Sequence, residues 1–412
     1  MSITVRPAAP AIPAPVTSPR EPTTVPSPAD ALAPTYKRAP EPFVRGAGVY
    51  LYDAQERGYL DFASGIAVNA LGYGDAGVAR AITDALATGL IHVSNLYRTA
   101  PGEQLAAELV RLSFADRVFF CNSGAEAVEG AFKFARKWAR SIGGPGKHEI
   151  VALRGSFHGR LFASVAATDR PNYRLPFRPL AGGISIAERD ERELDAVLQE
   201  ETVAAVIVEP VQGEGGVRVI EPAMLHFLRS VTRERNIALI FDEIQCGLGR
   251  TGSLFAYQQS GVEPDILALA KPLAGGLPMG AILLRESIGS AMQPGDHGTT
   301  FGGGPFVATV ALHVLGRLAD PELLANVRDV GGWMGDALRE VMSRTGKFRA
   351  VRGAGLMWGV DVPEPAAGVV ARARDAGLLI LTAGEHTLRL LPPLVLSRDD
   401  AARGVAIIES VL

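Results

Sequence analysis

The chain has 412 residues, 47% of them hydrophobic and 21% charged, with a formal net charge of −3. That length accommodates two or three domains around a substantial core, and that charge supplies no basic field for nucleic acid or an anionic membrane. Two cysteines, Cys121 and Cys246, leave no basis for a disulfide framework or a cysteine metal motif and suit a reducing, cytoplasmic setting, while the seven histidines form no H-E-x-x-H pair.

Residues 1–35 are dense in Pro, Ala, Ser and Thr and read as a disordered or polyproline-like tail. A transit peptide would carry more Arg, and a secretory signal would have a continuous apolar core. No apolar run approaches the roughly 20 residues needed to span a bilayer. From Tyr36 the pattern becomes globular, and GAGVYLYDAQERGYLDFASG (46–65) suggests a small hairpin. Strand-like runs follow at RVFFC (117–121), EIVALR (149–154), VAAVIVE (203–209), IALIFDE (237–243), ILALA (266–270) and AILL (281–284). Helical patterns lie between them at AEAVEGAFKFARKWAR (125–140) and PAMLHFLRSVTRER (222–235), the second opening with Pro222 in its first turn. Short apolar runs alternating with helices predict a mostly parallel sheet covered on both faces. After Leu315 the pattern shifts to helices and short strands ending in RLLPPLVL (389–396), as in a smaller α+β domain. The expected divisions are a tail 1–35, a segment 36–75 packing with the small domain, a large domain 76–315 and a small domain 316–412.

Ligands of an open parallel sheet sit at the carboxyl ends of its strands, and several polar clusters fall there. In FFCNSGAE (119–126), Asn122 or Ser123 can cap a helix whose first N–H groups would seat a phosphate, although an ordinary capped helix start looks the same. RGSFHGR (154–160) offers an aromatic face at Phe157 and a charged fork at Arg160. EPVQGEGG (209–216) offers Glu209 and Glu214 as paired carboxylates, or as plain turn residues. IFDEIQCGLGRTG (240–252) contains a G-x-G-x-x-G match, but DEIQC separates the strand from the first glycine, so a dinucleotide loop does not fit. The chemistry there belongs to Asp242, a carboxylate ending a buried strand and needing a cation. Lys271, in ALAKPLAGGLPMGA (268–281), has only Ala, Leu, Pro and Gly nearby, which predicts a depressed pKa and an amine nucleophile. An amine, an acid, a helix N-terminus and a flat ring are jointly what pyridoxal 5′-phosphate (PLP) requires.

FDEIQCGLGRTG, AKPLAGGLPMGA, EPVQGEGGV, NSGAEAVEGAFKFAR, SFHGR and HGTTFGGGP also stand in the order and at the separations of one family. From about Tyr36 onward the chain resembles the class III (ornithine-type) PLP-dependent aminotransferases of fold type I. Among subfamilies the nearest resemblance is to the acetylornithine aminotransferases, carried by residues 50–74 and 92–110. The resemblance implies an α/β fold: a large domain with a mostly parallel seven-stranded sheet flanked by helices, plus a smaller α+β domain. It implies that Lys271 bonds the cofactor aldehyde and later shuttles a proton, that Asp242 pairs with the pyridine nitrogen, and that Gln245 contacts the phenolic oxygen. Phe157 would stack on the ring, and Ser123, Gly124 and Ala125 would hold the phosphate, completed by Thr300 from a partner subunit in a homodimer. Glu214 would mask Arg389 while the amino donor binds and release it for the dicarboxylate, and Arg160 would clamp the donor's remote carboxylate near Tyr36.

The implied reaction moves the δ-amine of N2-acetyl-L-ornithine or a close analogue to 2-oxoglutarate, giving a semialdehyde and L-glutamate, as in arginine biosynthesis. Alternatives are 4-aminobutyrate, ornithine or a carrier-bound lysine as donor, a PLP aminomutase or decarboxylase, and a non-enzymatic protein on the same fold. Departures from the family pattern are Gly304 where Asn is usual, Leu161 where Thr is usual, LGYGDA for LGH-x-HP, and Val128 where Asn is frequent. They remove no catalytic group and bear on the identity of the donor.

Overall fold

The computed structural model describes residues 31–199 and 201–412. The expected tail therefore lies, for residues 1–30, outside the described residues. A short N-terminal unit ends at Pro42, and a second compact unit runs from Phe43 to Leu412. The features below belong to the second unit.

Seven strands build its central sheet: β1 (Arg117–Cys121), β2 (Glu149–Leu153), β3 (Ile184–Ala187), β4 (Val203–Val208), β5 (Ala238–Asp242), β6 (Ile266–Leu269) and β7 (Gly280–Leu284). Their spatial order is β1-β7-β6-β5-β4-β2-β3, and β7 alone runs against its neighbours. This is the mostly parallel seven-stranded sheet that the resemblance implied. The continuous apolar runs have a simple cause: successive strand residues point to opposite faces, and both faces are covered. Val151, Val206, Leu239, Phe241 and Leu267 enter one core cluster, while Ile150, Ile207, Ile240, Ala268 and Ile282 enter the other. The second face is closed by the helix Gly124–Gly143 through Ala127, Val128, Ala131, Phe132 and Ala135. Each fully buried large apolar side chain contributes about 1.5–3 kcal/mol.

The apolar runs located six of the seven strands. The seventh, β3, has four residues at the sheet edge, with Ser185 exposed and only Ala187 buried, so it presents no continuous apolar run. The helices Ala76–Ala87, Ala100–Leu112, Pro305–Leu318 and Arg398–Ser410 were likewise not singled out by pattern. All four open at a capping side chain or at a first-turn proline: Asp75 accepting from Val78 N (2.9 Å), Pro101, Pro305, and Ser397 accepting from Asp400 N (3.1 Å).

The expected hairpin at 46–65 is part of a larger unit. Strands Phe43–Ala47, Tyr50–Asp53 and Gly58–Asp61 form an antiparallel meander, and Leu378–Leu379 adds to its last strand in parallel, with Leu378 opposite Leu60. A further antiparallel sheet has the order Ala350–Ala354, Met357–Asp361, Thr387–Leu390, Leu381–Thr382. No helix among the described residues is long and apolar enough to cross a membrane.

Candidate active site

Strands β5 and β6 are paired in parallel with Asp242 opposite Ala268, so Lys271 follows three residues beyond that rung at the same edge of the sheet. The segments after β1, β2 and β4 end at this edge too, and together they enclose a cavity of about 380 Å³. Lys271, Asp242, Gln245 and Phe157 line it, as do Ser123, Gly124 and Ala125. Arg160 and Glu214 line it from the other loops.

Asp242 is buried, and one carboxylate oxygen accepts from Ile244 N at 3.1 Å. Its side-chain partner is not Lys271 but His158, whose Nδ1 lies 2.8 Å from the other oxygen. His158 is itself buried, and its backbone N–H donates to Thr168 Oγ1 at 2.9 Å. A buried carboxylate with no such partner would be expensive, so His158 is what fixes Asp242 in place. Sequence reasoning named His158 only as part of a loop; its neighbourhood of Phe157 and Arg160 was the available signal. The next residue, Glu243, points the opposite way, as strand alternation requires. Its two oxygens accept from Ala256 N (2.6 Å) and Tyr257 N (2.7 Å), and burial pushes its carboxyl up to about 8. Glu243 thereby holds the start of the short helix Tyr257–Ser260 that follows the GLGRTG loop, a role the sequence did not disclose.

Lys271 opens the short 3-10 turn Lys271–Ala274 with a φ of 25°, in the left-handed region that a lysine rarely adopts. Such strain costs on the order of 1–3 kcal/mol, and the turn holds it through Leu273 N to Ala270 O (2.8 Å) and Gly275 N to Pro272 O (3.1 Å). Burial lowers the ammonium pKa, opposed by the nearby Asp242 carboxylate. That lowering was expected from the apolar neighbours, and it favours the unprotonated amine.

Ser123 is the N-cap of the Gly124–Gly143 helix, its Oγ accepting from Glu126 N at 3.2 Å. Glu126 folds back to accept from Asn122 N at 2.6 Å. The N–H groups of Gly124 and Ala125 have no intrahelical acceptor and face the cavity edge, where the helix dipole favours an anion. A side chain at 124 would collide with Ile244, so only glycine lets this backbone come so close.

Behind Glu214 and Gln245, Arg389 comes from the strand Thr387–Leu390 and is almost fully buried. Its Nη2 lies 2.6 Å from Glu214 Oε1, and its Nη1 donates to Gln245 Oε1 at 3.2 Å. The Glu214 backbone carbonyl in turn accepts from Arg170. The Arg160 guanidinium stacks 3.4 Å from the Tyr173 ring centre and 5.8 Å from that of Phe157, leaving its N–H edge free to meet a carboxylate. Two expected residues are elsewhere. Thr300 is exposed and borders a separate groove with Thr299 and His297, and Tyr36 belongs to the N-terminal unit, with Arg38 over its ring.

The Aminotransferase class-III family pattern matches residues 31–412. The chain belongs to the class-III aminotransferases. It is 45% identical over 382 residues to the mitochondrial acetylornithine aminotransferase of Alnus glutinosa, covering 92% of this chain and 84% of that one. It is 44% identical over 385 residues to the succinylornithine transaminase of Yersinia pseudotuberculosis, covering 91% and 93%. The crystal structure of N-acetylornithine aminotransferase from Stenotrophomonas maltophilia superimposes with a TM-score of 0.80 at 37% identity, covering 91% and 96%.

This aminotransferase takes PLP as cofactor. The residues present fit it: an amine with a lowered pKa, a buried acid fixed by His158, a flat ring at Phe157, and a helix N-terminus whose glycine admits no side chain.

Proposed function

We propose that the enzyme transfers the δ-amine of N2-acetyl-L-ornithine, or of a close acylated analogue, to 2-oxoglutarate, in two half-reactions at one site. The observation that carries the two-substrate reading is the 2.6 Å pair between Arg389 and Glu214. An arginine fork buried beside a catalytic lysine recognises an α-carboxylate by two parallel hydrogen bonds. A donor presenting its distal amine brings no carboxylate to that point, and Glu214 then keeps the guanidinium neutralised. A dicarboxylate displaces Glu214 and takes its place. An enzyme with a single substrate would need no removable mask, which counts against an aminomutase or decarboxylase.

When bound, PLP supplies an electron sink that stabilises negative charge at the substrate carbon carrying the amine. The chain's own residues do the rest. Asp242, fixed by His158 Nδ1, would hold a proton on the ring nitrogen. Lys271 Nζ, with its pKa lowered by burial, would take the proton from the substrate carbon that bears the amine and hold it for return. Phe157 would cover the ring face, Gln245 would meet the phenolic oxygen, and Ser123, Gly124 and Ala125 would cradle the phosphate. Arg160 clamps the donor's remote carboxylate. Thr300 is offered outward to the phosphate seat of a second copy, so the working form is a homodimer with shared sites, in the cytoplasm. Support for the dimer comes from the exposure of Thr300 beside a groove of about 750 Å³.

The donor assignment draws on the acetylornithine and succinylornithine relatives and is tested by a panel of amino donors with 2-oxoglutarate as acceptor. Preferred turnover of N-acetylornithine or N-succinylornithine over ornithine and 4-aminobutyrate is expected. Negligible turnover of both acylated donors with brisk turnover of 4-aminobutyrate would overturn it.

A further inference from the structure

One acid of this cavity has no part in the chemistry above. Glu209 follows β4 directly, is 6% exposed and lines the cavity. Its Oε1 accepts the backbone N–H of Phe157 at 2.8 Å, and its Oε2 accepts that of Gly213 at 3.4 Å. These N–H groups belong to two different loops. One presents the aromatic ring at the cofactor end. The other presents Glu214, the next residue after Gly213. Gln245 Oε1, the oxygen that also accepts from Arg389, lies close against Gly213. The masking loop is therefore held between Glu209 and the Gln245–Arg389 pair. Burial pushes the Glu209 carboxyl up to about 7, eased by His158 and reinforced by Asp242. An acid kept at such a cost is expected to make contacts the fold needs.

We propose that Glu209 is a positioning residue that ties the ring-facing loop of Phe157 to the masking loop of Glu214, and thereby sets how firmly Glu214 sits on Arg389. The inference rests on the reading of Glu214 as a removable mask. The two hydrogen bonds are unequal, and the inequality assigns the moving part. The short bond anchors Phe157. The long bond to Gly213 is the one that yields when Glu214 leaves Arg389, so the mask can move while the aromatic ring stays in place.

The test measures kcat/KM of each half-reaction separately, for the acylated donor and for 2-oxoglutarate, in holoenzyme of the wild type, Glu209→Gln, Glu214→Gln and the double variant. An amide at 209 can still accept from Phe157 but turns its own N–H toward Gly213. The ratio of donor to dicarboxylate kcat/KM is expected to fall about three- to tenfold in Glu209→Gln, the worth of one hydrogen bond. In the Glu214→Gln background the same change should add less than about twofold, because Glu209 acts through Glu214. The affinity of the apoenzyme for PLP, followed by fluorescence, should stay within about threefold of the wild type. Equal losses in both half-reactions, full additivity in the double variant, or a large loss of PLP affinity with the ratio unchanged would each overturn the proposal. Should Glu214→Gln itself leave the ratio unchanged, the masking role fails first, and that outcome is distinct because Glu209 is intact in that variant. If Glu209→Gln does not fold, Glu209→Asp keeps the charge but reaches only one of the two N–H groups. It should shift the ratio in the same direction, and an unshifted ratio overturns the proposal.

Discussion

The two ends of the cavity are built differently. At the cofactor end the side chains are fixed within the chain: Asp242 has His158 and Ile244 N, Ser123 has Glu126 N, and Lys271 is set by a strained turn. At the substrate end the charged groups have exchangeable partners: Arg389 pairs with Glu214, and Arg160 lies on aromatic faces with its N–H edge open. A permanently held cofactor favours preorganised groups, whereas two substrates taken in turn need groups that can change partner. Substitutions at the first end should thus harm both half-reactions alike, and substitutions at the second should separate them.

The largest effect belongs to Lys271. Lys271→Ala should lower turnover by at least about 10⁴-fold with either substrate while the fold is retained, as stopped-flow measurement and circular dichroism would show. Asp242→Asn comes next. It should cost about 10²–10³-fold in both half-reactions equally, since it removes charge stabilisation common to both. A loss confined to one half-reaction would break the comparison. Arg389→Ala should act on one substrate, reducing kcat/KM for 2-oxoglutarate by about 2–3 kcal/mol, or roughly 30–160-fold, with a much smaller change for the donor. Arg160→Ala should show the reverse pattern at about tenfold, read as a raised donor KM.

The smallest effect concerns stability and sharpens the first end of the comparison. Burial raises the Glu243 carboxyl to about 8 in the folded chain, against about 4.3 in an unfolded one. The folded state then binds more protons between those values, so the stability that Glu243 contributes is full below about pH 4 and is lost as pH rises through about 8. Thermal melting of Glu243→Gln between pH 5 and 9 should show a shallower decline toward alkaline pH than the wild type. An unchanged slope would mean that the acid stays charged behind the strand.

Much of this was legible in the sequence because two signals are local. Apolar runs of four to seven residues located six strands, and the residue ending each run located Asp242, Lys271 and the Ser123 cap. Other features depend on the third dimension. His158 and Asp242 lie 84 positions apart, and nothing in SFHGR says which carboxylate the ring will meet. The opposed directions of Asp242 and Glu243 follow from strand alternation, but only once the strand is known to continue to its last acid. β3 escaped because an edge strand of four residues buries too little apolar surface to leave a run. The Arg389–Glu214 contact joins a strand to a loop distant in the chain, and its two members were connected by resemblance alone.

The central claim is that the amine following β6 and the carboxylate ending β5 serve one cofactor ring. The most direct test is borohydride reduction of the PLP-loaded enzyme, followed by peptide mass spectrometry of the wild type and of Lys271→Ala. The account predicts a single covalently labelled peptide containing Lys271, absent from the variant. Labelling at another lysine, or unchanged labelling after Lys271→Ala, would contradict it.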